Sequence, residues 1–164
     1  MVIRALRHLW APGWWARRAF RKADLAAIAA AVAASETRHR GEIRVAIEGP
    51  LPLASLRRGE DSRARAARLF HALGVDQTGE ANGILIYIQL VDRRVEILAD
   101  RGINALVPAD TWTALCREME TSFAGGHYRA GVLAAIGRIG ELLATHFPTC
   151  QNNPNELPNW PTVL

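Results

Sequence analysis

The stretch GILIYIQLVDRRVEILADRG, residues 83–102, limits what this chain can fold into more than any other. Ile84 to Val91 is apolar on both faces. Such a strand sits in the middle of a sheet that is covered on both sides. Asp92-Arg93-Arg94 is too short a link for anything but a hairpin, so Val95 to Ala99 returns antiparallel. The second strand then ends abruptly in Asp100-Arg101-Gly102, an acid, a base and a glycine at the end of a buried strand.

Helical periodicity surrounds this hairpin. Leu25, Ile28 and Val32 recur at helical spacing after Asp24, which reads as an N-cap of a helix over 24–37. A strand follows from Glu42 to Glu48. Ile43, Val45 and Ile47 line one face, while Glu42, Arg44 and Glu48 line the other, which places this strand near an edge or a ligand cleft. Gly49-Pro50 breaks it, and a polar loop runs to about residue 60. A helix from Asp61 or Ser62 to Gly74 buries Ala66, Leu69, Phe70 and Leu73 and leaves Arg63, Arg65 and Arg68 to solvent. Two more helices, over 109–124 and 127–146, are separated by Gly125-Gly126. Helices packed on both faces of a small mixed sheet, an α/β/α sandwich, is the fold this order predicts.

The 164 residues suffice for one domain with a proper core. Charge divides the chain unevenly. Residues 1–40 hold eight Arg or Lys against two acids, and the remainder holds twelve against fourteen. The basicity therefore belongs to an N-terminal arm, residues 1–22, and the chain does not read as a nucleic-acid binder. In the arm Pro12-Gly13 punctuates a run in which Trp10, Trp14, Trp15 and Phe20 alternate with arginines. Such a segment lies on an anionic membrane surface or packs its rings back onto the domain, and the second reading is the one favoured here. Residues 23–147 form the domain. Residues 148–164 are a Pro- and Asn-rich tail or strap without period until Thr162-Val163-Leu164. Cys116 falls on an apolar helical stripe and Cys150 in the tail, so neither requires a disulfide. The apolar run from Leu25 is far shorter than the ~20 residues of a membrane span, and Asp24 argues for a capped helix over an export signal. The expected location is cytoplasmic, peripheral at the inner membrane if the arm docks there.

Common catalytic signatures are missing: GxSxG, HExxH and a phosphate-binding glycine loop do not occur. Arg38-His39-Arg40-Gly41 imitates the start of the histidine phosphatases, but it precedes a strand where that motif follows one. What remains is oxygen donors near strand ends and loops. Asp76, Glu80 and Asn82 precede the apolar strand, and Asp100 follows the next strand. Donors of this kind suit a hard cation such as Ca²⁺, and paired acids do acid–base work. Solvated turn-forming acids are the alternative.

The Asn-Gly before ILIYIQL, the charged turn and VEILADRG together resemble the centre of the TPM domain family, the TPM phosphatase domains. GEIRVAIE resembles that family's first strand. The helix ending in Leu69-Phe70 before Gly74 and the helices around Phe123, Gly126 and Tyr128 extend the likeness over roughly residues 24–147. The closing NELPNWPTVL and HRGEIR resemble a short bacterial branch that lacks signal peptide and membrane anchor. The resemblance implies an α/β/α sandwich, acid phosphatase activity and, in some bacterial members, Ca²⁺ binding. Carried over by position, the cleft comprises Asp76, Glu80, Asn82, Asp92 and Asp100, with Arg101, Gly102, Asn104 and Asp110 beside it; no catalytic residue is assigned. Longer members read glycine, apolar, glutamate, glycine after the third strand. Here Gly102-Ile103-Asn104-Ala105 puts an amide in place of that carboxylate, and a later family aspartate is matched by Asp110 after a one-residue shift. Two functions follow as expectations. One is cation-assisted phosphoester hydrolysis. The other is a non-catalytic binding module in membrane-protein or envelope maintenance, with Arg101 paired to Asp100 and the arm as the contact element.

Overall fold

A computed structural model gives the fold and describes residues 2–12, 14–149 and 155–164. Gly13 and Cys150 lie outside the described residues. The arm contains α1 (Val2–Trp10) and α2 (Trp15–Ala19), followed by α3 (Lys22–Glu36). Then come β1 (Ile43–Glu48), α4 (Leu53–Arg57), α5 (Ser62–Ala72) and a single 3₁₀ turn at Val75–Gln77. The hairpin is β2 (Ile84–Gln89) and β3 (Arg94–Ala99). Helices α6 (Arg101–Asn104), α7 (Ala109–Ala124) and α8 (Tyr128–His146) follow, and β4 (Thr162–Val163) ends the chain.

The sheet order is β3-β2-β1-β4, with β1 parallel to both β2 and β4 and β3 antiparallel to β2. Strand alternation sorts the core into two layers. On one face Ile43, Val45, Ile47, Ile84, Ile86 and Ile88 meet the apolar stripes of α3, α7 and α8. On the other, Ala46, Leu85 and Tyr87 meet Ala66, Leu69 and Phe70 of α5. The sandwich expected from the sequence is the one formed. No described helix is long and apolar enough to cross a membrane.

Four expectations need correction. First, β1 is an interior strand, flanked by β2 and β4 and buried along its length. Its charged face escapes water because each charge finds a partner across the chain. Glu48, 1% exposed, accepts from Arg65 Nε at 3.0 Å and Nη2 at 2.6 Å and from the Tyr87 hydroxyl at 2.6 Å. Arg44 donates to the carbonyls of Pro158 and Trp160 and to Thr162 Oγ1 at 2.7 Å. Glu42 accepts the backbone N–H groups of Glu156 and Leu157, both at 3.1 Å. The C-terminal segment is thus bound as a strap that supplies β4. Second, Arg65 is not solvated: it is the partner of Glu48. Burial and the neighbouring carboxylate keep the Tyr87 hydroxyl protonated, its pKa raised far above the ordinary phenol value.

Third, Asp24 is not the N-cap of α3. Arg21 is, and Asp24 stands three residues inside, its carboxylate accepting the Arg21 N–H at 2.9 Å. Fourth, the arm packs onto the domain, but not through Trp10 or Trp14. Arg4 donates to Asp92 Oδ2 at 2.7 Å and to the Glu60 carbonyl, and Arg7 donates to the Val91 carbonyl. Buried His8 accepts the Leu51 N–H at Nδ1, which leaves its Nε2–H to donate to Asp92 Oδ1 at 3.1 Å. Phe20 enters the core edge-on to Phe123 and Tyr128. Trp10 and Trp14 stay exposed. The polar stretch after β1 also holds the short helix α4, which carries no apolar period to reveal it.

Glu36, at the end of α3, is 9% exposed, and its Oε1 accepts the Ile43 N–H at 3.1 Å. Burial, with the Glu42 charge adding to it, raises this carboxyl from the ordinary 4.5 to about 8. The folded chain therefore holds a proton that the unfolded chain has released. Stability from this group is complete below the unfolded value and declines as pH rises through the folded one. Urea unfolding of wild type and Glu36→Gln at pH 5 and pH 8 measures this. Wild type is expected to lose more stability over that interval than the variant; equal losses would mean that Glu36 titrates as an ordinary glutamate.

Candidate functional site

Parallel pairing of β1 with β2, Ile43 opposite Ile84, brings the residues just before β1 beside the loop before β2, and the antiparallel hairpin brings residue 100 back to the same end. The Asp100 N–H donates to the Gly83 carbonyl at 2.9 Å, and the Gly102 N–H to the Ala81 carbonyl at 2.8 Å. Two glycines permit this approach. A Cβ on Gly102 would lie 2.6 Å from both the Glu80 and Ala81 carbonyl oxygens, and one on Gly83 would lie 2.2 Å from the Val75 carbonyl oxygen. The loop before β2 and the end of β3 are therefore one assembly. Glu80, Asn82, Asp100 and Gly102 meet there.

Most of the polar groups at this end hold it together. Asn82 is buried; its Nδ2 donates to the Arg40 carbonyl at 3.0 Å, and its N–H to Thr78 Oγ1. Glu80 forms an ion pair with Arg40, and the Glu156 carboxylate from the strap accepts the Gly79 N–H. Asp76 bonds His71 Nδ1 at 2.7 Å, and this contact holds its carboxyl below the ordinary aspartate value. Asp100 caps α6 through Oδ1, which accepts the Arg101 N–H at 2.7 Å. Its Oδ2 is buried and has no hydrogen-bond partner. Arg101, Asn104 and Asp110 are exposed. Arg101 touches Asp100 through its backbone only, so the side-chain pair anticipated for the binding-module reading does not form.

Asp92 stands at the opposite end of the sheet. It lies in the β2–β3 turn, and six residues of strand, roughly 20 Å, separate it from Asp100. Burial opposes its charge, yet the bonds from Arg4 and His8 hold its pKa below the ordinary value. It anchors α1 and cannot share an ion with the other four.

Ca²⁺ takes six to eight oxygen ligands. Among the described residues no three acidic, histidine or cysteine side chains converge. Asp76 faces His71, Glu80 faces Arg40, and Asn104 offers an exposed amide. As arranged, these residues do not fit a Ca²⁺ cage, and Asp100 Oδ2 is a buried carboxylate oxygen without a hydrogen-bond partner. Sequence reasoning passed over Arg40 and His71, the two groups that engage Glu80 and Asp76. The position of Arg40 just ahead of a strand parallel to β2 was the available signal.

The remaining candidates are inert. His39 is fully buried. Its Nδ1 bonds the Gly41 carbonyl and its Nε2 bonds Ser35 Oγ, and burial lowers its pKa to about 4, so the ring is neutral near pH 7. That excludes a phosphatase histidine at the Arg38-His39-Arg40-Gly41 motif. Burial pushes the Cys116 thiol up to about 11, which removes it as a nucleophile.

No curated protein matches the chain. Among solved structures it is similar to the BA42 protein of the psychrophilic bacterium Bizionia argentinensis, determined by NMR. The two share 31% identity over 88% of this chain and 95% of that one, with a TM-score of 0.77. The family description "TPM domain" matches residues 17–142, from α2 through most of α8. On sequence and on fold alike, this chain belongs to the TPM domain family.

Proposed function

We propose that this protein is a non-catalytic binding module of membrane-protein or envelope maintenance, and that it docks on an anionic membrane surface through its N-terminal arm. One observation carries the reading: α1 is mounted with its polar side inward. Arg4, Arg7 and His8 bind the turn after β2 and the body around it, while Leu6, Leu9 and Trp10 stand 49%, 60% and 85% exposed. A helix that packs on its own domain for stability alone turns its apolar side in. Here the amphipathic helix is fixed to a rigid body with its apolar side free, which is the arrangement for lying in a headgroup layer. Trp14, also exposed, extends the same arm. The basic excess of residues 1–40 suits an anionic surface, and the cytoplasmic face of the inner membrane is such a surface.

Cosedimentation with vesicles rich in phosphatidylglycerol tests this. Wild type is expected to pellet with them. The triple variant Leu6→Ser, Leu9→Ser, Trp10→Ser should bind at least about tenfold more weakly with an unchanged melting temperature, because these side chains contribute little to the fold. Equal binding by both proteins would refute the arm as the contact.

Phosphoester hydrolysis, which the family resemblance implies, is the second reading. The buried, unpartnered Asp100 Oδ2 favours it, since a divalent cation is one partner that would satisfy this oxygen. The other donors would have to leave Arg40 and His71 first. Amide NMR during a Ca²⁺ titration is the measure. This reading expects shifts confined to residues 76–83 and 99–104 at millimolar metal, abolished by Asp100→Asn. Unmoved resonances would remove it.

A further inference from the structure

Two adjoining hollows lie at the end of the sheet away from Asp100. One encloses about 380 Å³ and an adjoining one about 400 Å³; Leu90, Arg93, Gly126 and Tyr128 border both. They open at the carboxyl ends of the parallel strands β1 and β2, where open α/β sheets commonly take ligands. The size is that of a small-molecule site.

The lining has two parts. An apolar floor is made by Leu90, Phe123 and the ring of Tyr128. The last two stack at 5.1 Å, and Phe20 braces Tyr128 edge-on from behind. A cationic rim is made by Arg18, Arg93 and Arg94. Arg18 stacks over Trp14, which steadies it. Arg94 leans toward Glu120 at 3.8 Å, so one of the three charges is partly compensated. Arg93 has no partner: no described carboxylate pairs with its guanidinium. Tyr128 opens α8, whose N-cap makes no side-chain bond, so first-turn N–H groups add donors on the same side.

Arg93 also has a backbone φ of 55°. Few residues other than glycine hold this conformation without strain. Its left-handed backbone closes the short turn between β2 and β3, while its charge pairs with no described carboxylate.

We infer that this cavity is a binding site for a small monoanionic organic ligand, a carboxylate carried on an aromatic or short apolar body. The Arg93 guanidinium takes the carboxylate in a two-pronged contact, Arg18 adds a second charge, and the body lies on Phe123 and Tyr128. Glu120 on the wall repels a dianion, which sets a monoanion above a phosphate monoester. The site is separate from Asp100 and from Leu6, Leu9 and Trp10; it shares with the arm Arg18 and the Trp14 that steadies it, and ligand binding there is read independently of either functional reading above.

The full-length chain, followed by amide NMR, tests the site with 3-phenylpropionate as the probe. Acetate lacks the body, 3-phenylpropanol lacks the charge, and phenyl phosphate carries the extra charge. The site predicts saturable shifts at residues 88–94 and 120–128 with 3-phenylpropionate, and at least tenfold weaker effects with each of the other three. Arg93→Gly removes the charge and relieves the backbone, so it should keep or raise the melting temperature while weakening 3-phenylpropionate at least tenfold. Shifts that are absent from these segments, equal binding of the alcohol, or undiminished binding by a folded Arg93→Gly would overturn the site. Tighter binding of phenyl phosphate would overturn the choice of a monoanion.

Discussion

Everything in this structure is arranged around a buried strand that carries charge. β1 sits inside the sheet with Glu42, Arg44 and Glu48 on one face, and none of the three can remain unpartnered there. Each is satisfied by a segment distant in sequence. Glu48 takes Arg65 and Tyr87 and thereby fixes α5 and β2. Arg44 and Glu42 take the backbone of the strap and thereby fix β4. Burying an ion pair gains little over burying apolar groups of the same shape, but losing one partner is costly. The charges therefore act mainly as constraints: they define which segments may cover this face and in which register.

The same logic distributes function. At the Asp100 end most polar side chains are engaged in closing the loop before β2 onto β3, with Arg40, His71 and the strap as partners. At the other end Asp92 anchors α1 by its polar side, and this turns Leu6, Leu9 and Trp10 outward. Arg93, next to Asp92 in the same tight turn, has no carboxylate partner among the described residues and stands beside a cavity. Anchoring, presentation and an unpaired cation thus arise within two consecutive residues. The family resemblance directs attention to the first end, whereas the geometry of this chain favours the second.

Local pattern was enough for the long elements. The two-faced apolar run of β2 placed it inside the sheet, α5 starts at Ser62 as one of the two readings had it, and α7 runs over 109–124 up to Gly125-Gly126 as expected. It failed wherever a distant partner decided the outcome. Arg44 and Glu48 made β1 look like an edge because nothing near them in sequence announces Arg65 or the carbonyls of residues 158 and 160. Arg65 looked solvated for the same reason. The arm was legible as basic and aromatic, but which side it turns to the domain depends on Asp92, more than eighty residues away. Strand-end reasoning grouped Asp76, Glu80, Asn82 and Asp100, and in the fold Glu80, Asn82 and Asp100 stand at one end of the sheet while Asp76 turns to His71. The family resemblance added Asp92, and position along the chain does not reveal that a hairpin's turn and its open end lie a strand length apart.

The central claim is that Glu48 and Arg65 act as one unit on which the sandwich depends, and paired substitutions address it most directly. Chemical unfolding of Arg65→Met should show a loss of about 3–5 kcal/mol, since Glu48 is left charged and buried without its cation. Adding Glu48→Gln to that variant should recover most of the loss, because the amide still accepts the Tyr87 hydroxyl and carries no charge. A single variant within about 0.5 kcal/mol of wild type, or a double variant no more stable than the single, would contradict the account.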